Sequence, residues 1–556
     1  MMKKFLAVGL AALCAASLVA CNNNNGGYEK PDEFTSDGKL KIQYFGIDLD
    51  SLQSQTDGTT RIITAIENKF NVHFEFLNGS ATSWEQQLSQ YIGGGDVPDI
   101  FVHGKSEPQY SKWLEEKYFF NYSELLDDYP NVKAAFARYP EQGLKAVLGG
   151  DYYSYPIVMD STTTSDVINE HALYYRRDWY TNLVEKNWTP SSGRALVDPE
   201  DPNFNYQNFY DLCEGFTKGD PDNNDIDDTR GYVLTKDGGV YWWYPLLSMH
   251  GVLLDGWEKD ETGKWVPEVL SDEMKNAVMW IAEMFDNGFI NPNYATTTTQ
   301  AAMKSSFVNG EAGMMTYNAT YPMGKGILDL MMPYAKNGKT LSDVVRAMPV
   351  VTGADGQKHM FGYANYYNYL AISNDISLNK KKTILSIMDW MLSDEGMKML
   401  NYGIEGVHYH MDGNNLVSDL GLNKAGYPKT LYDEDVAPGA YRIKGLVSWS
   451  TLIPTTIEHY EEQMQLLTAW DRQYLVMDEL AYVSADTSFS FKVAALKELK
   501  SDTFQDIVAK IPGTNTAEGR REKREEMWDD FVTSYKRQGD TYIEEINEKA
   551  QTQLGL

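Results

Sequence analysis

Between residues 40 and 102 the apolar positions keep two alternating rhythms. Lys41-Ile-Gln-Tyr-Phe-Gly46 reads as a strand, and Ile62, Ile63, Ile66 and Phe70 then share one face of a helix. Val72, Phe74 and Phe76 alternate as a second strand. Trp84 to Ile92 is helical again, Gly93-Gly94-Gly95 stops it, and Asp99-Ile100-Phe101-Val102 makes a third strand. Strands separated by helices must pair in parallel through right-handed crossovers. Open parallel sheets present ligands to the carboxyl ends of their strands. The loops carrying Asp48 and Asp50, Ser80 to Trp84, and His103 are therefore expected to face a cleft.

Further along, Met274, Ala277, Val278 and Ile281 predict an amphipathic helix over 273–285. Phe307 to Thr320 predicts a helix that ends at Gly310, then a strand ending at Tyr317 and Asn318. Phe361 to Asp375 opens as a polar-aromatic strand, with four tyrosines and two asparagines between Gly362 and Leu370. Ile384, Ile387, Met388, Met391 and Leu392 follow at helical spacing, and LNYGIEGVHYHMDG closes the segment as a glycine-punctuated loop. After Val436 the pattern is mostly helical, and the Lys/Arg/Glu run from Arg520 to Glu526 reads as a solvated helical face.

A chain of 556 residues is too long for one core and suits two or three domains. Residues 1–20 combine MMKK with the apolar run FLAVGLAALCAASLVA, and Leu18-Val19-Ala20-Cys21 ends that run like a bacterial lipobox. Cleavage before Cys21 and lipidation of its thiol are expected; the alternative is an ordinary secretory signal with an incidental cysteine. Residues 21–39, opening with NNNNGG, read as a flexible tether, so the protein is expected outside the cytoplasm, anchored to a bacterial membrane rather than threaded through it. The net charge of −30 becomes −32 without residues 1–20, which argues against nucleic acid as a partner. Beyond the anchor only Cys213 remains, which excludes an intrachain disulfide and a cysteine metal site.

Aromatic residues make up 13% of the chain, enough to ask where so many rings go. Rings beside hydroxyls and amides suit sugars, whose C–H faces stack while their hydroxyls need hydrogen bonds. The candidates for such contacts are Asp48, Trp84, His103, Trp242, Trp243, Trp257, Tyr317, Asn318, Tyr363, Asn365, Tyr366, Tyr367, Glu405, His408 and Tyr409. For each ring the competing reading is a half-buried packing residue. Asp220, Asp222, Asn224 and Asp228 fall at positions 1, 3, 5 and 9 of an EF-hand-like loop, with the Ile226 carbonyl at position 7, which suits structural calcium. Asp225 at position 6 and Gly231 at position 12 depart from that pattern, and an acidic surface turn is the other reading. Gly94-Gly-Asp-Val-Pro-Asp99 reads as a structural turn. Two carboxylates suffice for a glycoside hydrolase, but among 79 acidic residues a pair has no discriminating power. No catalytic cofactor is implied, since no G-x-S-x-G, H-E-x-x-H or phosphate-loop motif occurs.

FGYANYYNYLAISND, KKTILSIMDWMLSDEGMKMLNYGIEGVHY, the Gly94–Asp99 turn and the ending from Trp528 to Ala550 together resemble extracellular solute-binding protein family 1. The resemblance is to its large subgroup of lipoproteins that feed oligosaccharides to ABC importers, which includes alginate-oligosaccharide binders. It implies an α/β fold of two lobes, periplasmic-binding-protein-like, each a mainly parallel sheet flanked by helices and joined by a multi-crossing hinge. The implied division is 40–157 with 300–362 as first lobe, 158–299 with 363–435 as second, and 436–556 as a helical region packed on both. Tyr155 and Pro156 are implied hinge residues, with Tyr174–Arg176 on a strand near the cleft. The implied role is a monomeric receptor that delivers an oligosaccharide to a permease; a surface-anchored glycoside hydrolase is the alternative.

Overall fold

The protein is described here from a computed structural model covering residues 33–555, apart from 48, 50–51, 53–57, 81–82, 105–109, 160–166, 170, 319–322, 423–428, 432–435, 438, 450–471, 484, 486 and 510–515. The signal segment 1–20, Cys21, the first part of the tether and Asp48 lie outside the described residues. Seventeen strands are described. In the first half of the chain they are β1 Leu40–Ile47, β2 Val72–Gly79, β3 Ile100–His103, β4 Tyr155–Val158, β5 Val167–Ile168, β6 His171–Arg176, β7 Arg230–Val233, β8 Trp257–Lys259 and β9 Trp265–Pro267. They continue as β10 Ala312–Asn318, β11 Val345–Ala347, β12 Met360–Phe361, β13 Tyr363–Ala364, β14 Tyr366–Ile372, β15 Tyr409–Asp412, β16 Asn415–Ser418 and β17 Leu475–Val476.

Two sheets dominate, one ordered β2-β1-β3-β14-β4 and the other β11-β6-β10-β7. As the early periodicity predicts, β1 pairs in parallel with both β2 and β3. Each sheet is buried on both faces because side chains alternate along its strands. Ile100 and Val102 enter a core with Ile62, Ile66 and Ile384, while Phe101 between them packs with Leu88 and Ile92 on the other side. In β6, Leu173 and Tyr175 face a core that includes Trp528 and Phe531, and Ala172 and Tyr174 face Met303 and Phe307. The two sheets are the centres of two lobes.

Membership of the later strands differs from the implied division. β10 lies in the second sheet, between β6 and β7, although 300–362 was expected in the first lobe. β14 lies in the first sheet, between β3 and β4, although 363–435 was expected in the second. The apolar runs at 312–318 and 366–372 read alike as buried strands, and only long-range pairing tells which sheet each joins. The C-terminal region also divides: Val436 to Val447 packs in the first lobe's core, and the helices Ser490–Ala509 and Ala517–Lys549 pack in the second's. Arg524 fixes the last helix to the second lobe through Asp286, at 2.8 and 2.9 Å. Tyr155 and Pro156 sit inside the first sheet rather than at a hinge.

Strand direction explains the two antiparallel members. β14 and β6 both enter their lobes from the hinge and run away from it. Their neighbours β3, β4, β10 and β11 run toward it. The expected Gly94–Asp99 turn is structural: Asp99 is buried, accepts from Gln43 N at 2.9 Å, and meets buried Lys380 Nζ at 3.0 Å.

Candidate functional site

The chain's crossings between lobes are zipped by two short ladders. β5 pairs with β13, placing Ile168 opposite Tyr363, and β12 pairs with β17, placing Phe361 opposite Val476. Gly362 N donates to Val476 O at 2.8 Å, and a side chain there would meet Val167 Cγ1 at 2.6 Å, so only glycine lets the crossings approach. His171 follows the first ladder by three residues and Tyr366 follows the other side by two. Both sheets therefore bring the same ends to the hinge: the ends of β1, β2, β3 and β4 with the start of β14, and the ends of β7, β10 and β11 with the start of β6.

On the second lobe these ends gather an aromatic cluster around His171. Gly238 and Gly239, at φ +67° and +70°, turn the chain after β7 into the short 3₁₀ turn Tyr241–Trp243. Successive residues of such a turn project about 120° apart, so neighbouring rings go to different places. Trp242 stacks on Tyr317 with centroids 6.2 Å apart and planes 12° apart. Trp243 is fully buried in the core beside Tyr294 and is a packing residue, not a cleft residue. The rings of Tyr241, Trp242 and Tyr244 meet the His171 imidazole edge-on at 5.6, 5.1 and 5.4 Å, and Tyr363 lies at 6.4 Å.

His171 is placed by its backbone. Its N–H donates to Asn169 Oδ1 at 2.7 Å, and Asn169 Nδ2 donates to the hinge carbonyl of Phe361 at 2.9 Å. Its Nδ1 is buried and has no hydrogen-bond partner, and burial pushes its pKa down to about 3. Asn318, paired with His171 across the sheet, has a buried Oδ1 also without a partner, while its carbonyl accepts from Tyr174 at 3.0 Å. Beside them a half-open cavity of ≈ 60 Å³ is lined by Asn169, His171, Tyr244, Ser248, His359 and Phe361 among others, and Ser248 Oγ there is unpartnered too. Leaving such groups dry and unpaired costs about 1–3 kcal/mol each, a cost that an incoming hydrogen-bonding group removes. His171 and Ser248 were not among the expected contacts; nothing local in HALYYR or PLLSMH marks them.

On the first lobe most expected contacts are packing residues. His103 is fully buried, stacked on Tyr110 and Tyr369 at 5.0 and 5.3 Å, with Nε2 on Ser154 Oγ at 2.8 Å and Nδ1 on Gly104 O at 3.2 Å. Tyr366 accepts from the Tyr369 hydroxyl at 3.1 Å, and burial raises its own pKa to about 12. Asn365 is buried, and its carbonyl accepts from Tyr139 Oη at 2.8 Å. Trp84 stays half-buried just past the end of β2, packed against the first lobe's core on both faces of the sheet. The side chain of Tyr367 lies outside the described residues.

The loop at 403–410 reaches the first lobe's cleft rim. Lys69 at the end of helix Gly58–Phe70 meets Glu395 at the start of helix Asp394–Tyr402, so the two helices are antiparallel. Ile404 therefore emerges beside Thr60 and Arg61, at the cleft end. Glu405 is exposed there. His408 and Tyr409 turn inward: His408 Nδ1 accepts from Ile404 N at 2.9 Å, and Lys398 lies 5.2 Å over the Tyr409 ring. Burial, then the Arg61 charge, hold the His408 pKa down. Trp257 is far from this set in the chain's packing, edge-on to Tyr542 of the C-terminal helix at 5.8 Å.

The acidic loop at 220–228 holds Asp220, Asn223 and Asp225 at φ +45°, +61° and +60°, the left-handed backbone a tight ion-binding loop needs. Asp222 Oδ1 is buried without a partner, and burial with the charges of Asp228 and Asp220 raises its pKa. Against an ion, Asn224 Nδ2 lies 2.8 Å from Asp222 and 3.3 Å from Asp228, and Lys186 Nζ holds Asp220 at 2.9 Å. Among the described residues no group of three or more His, Cys, Asp or Glu side chains is arranged to hold a metal.

A lobed α/β architecture with a hinge and a polar-aromatic cleft narrows the class, and the family decides it. The model of bacterial extracellular solute-binding proteins matches residues 53–398. The chain belongs to that family. It is 24% identical over 475 residues to lipoprotein LipO of Bacillus subtilis, covering 83% of this chain and 82% of LipO. Among solved structures, an HMO-binding, ABC-transporter-associated solute-binding protein of Bifidobacterium longum infantis superposes with a TM-score of 0.64 at 16% identity, covering 93% of this chain and 99% of that one. The alginate-binding protein AlgQ2, in a structure without calcium ion, gives 0.61 at 15% identity with 93% and 99% covered. These structural likenesses establish the two-lobe fold. Among the described residues no helix is long and apolar enough to cross a membrane.

Proposed function

We propose that this solute-binding protein captures an oligosaccharide in the cleft between its lobes and delivers it to the permease of an ABC importer. The observation that carries the reading is the His171 cluster: rings and unspent polar atoms gathered beside the hinge, where closure would surround a sugar. The names of similar proteins agree in kind, one binding HMO and associated with an ABC transporter, another binding alginate. Lipidation at Cys21 would tether the receptor, as a monomer, to the outer face of the cell membrane. Catalysis has little support, since the two carboxyls that burial raises furthest, Glu268 to about 7 and Asp478 to about 6, accept from the Leu253 and Leu480 amides, and neither lines the cavity beside His171. The test is calorimetric titration of the full chain, in a sugar-free detergent, with oligosaccharides that are then analysed by chromatography. Saturable binding with the sugar recovered intact supports a receptor; shortened products would convert it to a glycoside hydrolase.

We further propose structural calcium in the 220–228 loop, held by Asp220, Asp222, Asn224, Asp228 and the Ile226 carbonyl. The unpaired Asp222 oxygen supports it, and the missing position-12 carboxylate makes the site weak. With calcium at about 100 times its Kd the ion would add ~2.7 kcal/mol, raising the Tm of a chain this long by roughly 2–3 °C. Equal melting curves in millimolar calcium and in chelator would end the proposal.

A further inference from the structure

The cavity beside the hinge is the right size for a substituent and the wrong size for a ring. At ≈ 60 Å³ it has room for about two waters. Its unspent hydrogen-bonding atoms are His171 Nδ1 and Ser248 Oγ, both neutral groups. Its walls otherwise include Leu173, Met249, Met348, Val351 and Phe361, which are apolar. A buried carboxylate would need a guanidinium fork or several N–H donors to offset its lost hydration.

No such fork is free near it among the described residues. The arginines of the second sheet's strands and of the helix that follows β6 meet other carboxylates, and Arg176, whose Nη1 alone is unpartnered, stands at the opposite end of β6 from His171. Arg176 is on Asp178 at 2.7 Å, Arg177 on Asp198 at 2.6 Å, Arg346 on Glu200 at 2.5 Å and Arg230 on Asp227 at 3.3 Å. The cation touching the cluster is Lys304, whose Nζ lies 5.9 Å over the Tyr317 ring. His359 lines the cavity but is paired with Asp355 at 2.7 Å, so an anion entering would also meet the Asp355 charge. Asn318 Oδ1, across from His171, is an acceptor and adds to the repulsion.

We infer that this cavity seats the neutral hydroxymethyl arm of a hexose, hydrogen-bonded by His171 Nδ1 and Ser248 Oγ, and that it selects neutral hexose oligosaccharides over uronic acids. Uronic acids carry a carboxylate in place of that arm, and pentoses carry nothing there. The inference rests on the oligosaccharide reading of the cleft, and goes beyond it by naming the sugar class and the groups that choose it. His171 and Ser248 are its specificity determinants, with Asn169 positioning His171 through its backbone N–H.

The experiment titrates the full chain, in sugar-free detergent, with gluco-, manno-, galacto-, fructo- and xylo-tetrasaccharides and with tetragalacturonate and tetramannuronate. Saturable binding of a neutral hexose series, at least tenfold tighter than xylotetraose and the uronates, supports the inference. The variants Ser248→Val, which fills the cavity, and His171→Asn should each weaken the hexose ligand about tenfold while leaving xylotetraose binding and Tm unchanged. If His171→Asn lowers Tm, the Ser248→Val result decides. A uronate bound as tightly as any hexose, or hexose binding indifferent to Ser248→Val, overturns the inference and leaves the receptor reading standing. No binding across the panel overturns both.

Discussion

His103 and His171 occupy matching places, one at the end of β3 and one at the start of β6, each at the hinge end of its sheet. Each is buried among rings, and burial pushes each pKa to about 3. Their hydrogen bonds separate them. His103 uses both ring nitrogens, on Ser154 and Gly104, and its neighbours Tyr110, Phe119 and Tyr369 are near-parallel stacks, at 16–28°. His171 meets its closest rings edge-on and leaves Nδ1 without a partner beside a cavity. Burial and aromatic company are therefore shared by a finished core and a candidate binding site; an unspent polar atom beside an open cavity is what distinguishes His171, since core Trp179 Nε1 is unpartnered but does not line that cavity.

The sharpest way to break this distinction is at the adjacent tryptophans. Trp243→Ala should cost about 4 kcal/mol by opening a core cavity, lowering the Tm of a chain this long by roughly 4 °C. Trp242 is buried too, packed with Tyr317, Met303 and Met315, so Trp242→Ala should lower Tm and, in addition, weaken oligosaccharide binding tenfold or more. If Trp243→Ala spares the fold, the division between core and cleft at this turn is wrong. Next comes the histidine pair itself. His103→Ala removes a stacked ring and the Ser154 hydroxyl's partner, and should cost about 3 kcal/mol, a Tm fall of roughly 3 °C in a chain this long. Binding measured well below that Tm should be unchanged. A His103→Ala protein that melts normally but fails to bind sugar would reverse the roles assigned to the two lobes.

The same pair marks how far sequence reasoning reaches. The β1–β2–β3 unit was legible because alternation and helical period are local, and the family phrases carried the two-lobe architecture. Lobe membership of β10 and β14 was not, since pairing partners lie hundreds of residues away and both runs read as buried strand. Trp242 and Trp243 are indistinguishable in sequence; a 3₁₀ turn sends them to opposite faces of the second sheet, Trp242 to the buried cluster with Tyr317 and Trp243 to the core beside Tyr294. His103 was expected at the cleft because it ends a parallel strand, and it does end β3. What the position could not tell is that Ser154, 51 residues away, would satisfy the ring. His171 carried no local signal beyond opening the strand HALYYR, and its unpaired nitrogen emerges only from what fails to pack against it.

The smallest expected effect is in acid, and it tests what the two histidines share. Each has an ordinary value near 6.5 in the unfolded chain and about 3 in the fold. Between those values the unfolded state binds the proton and the folded state does not. Stability is therefore full above pH 6.5 and falls as pH drops toward 3, by about 1.4 kcal/mol per pH unit for each histidine once pH lies well inside the window. Glu268 works in the opposite sense, because its pKa is raised to about 7 and its neutral form favours the fold as pH falls. Measured stability will thus show a mixture, and a substitution isolates one contribution. His171→Asn should remove one proton from the pH slope of unfolding between pH 6 and 4, as should His103→Asn measured at a temperature where that variant remains folded. Sugar affinity of the unsubstituted chain should stay flat from pH 8 to 5, since His171 remains neutral throughout. A tenfold fall in affinity centred near pH 6.5 would mean that the imidazole titrates in the fold, which requires water to reach Nδ1 and would erase the buried, unspent nitrogen on which the contrast with His103 depends.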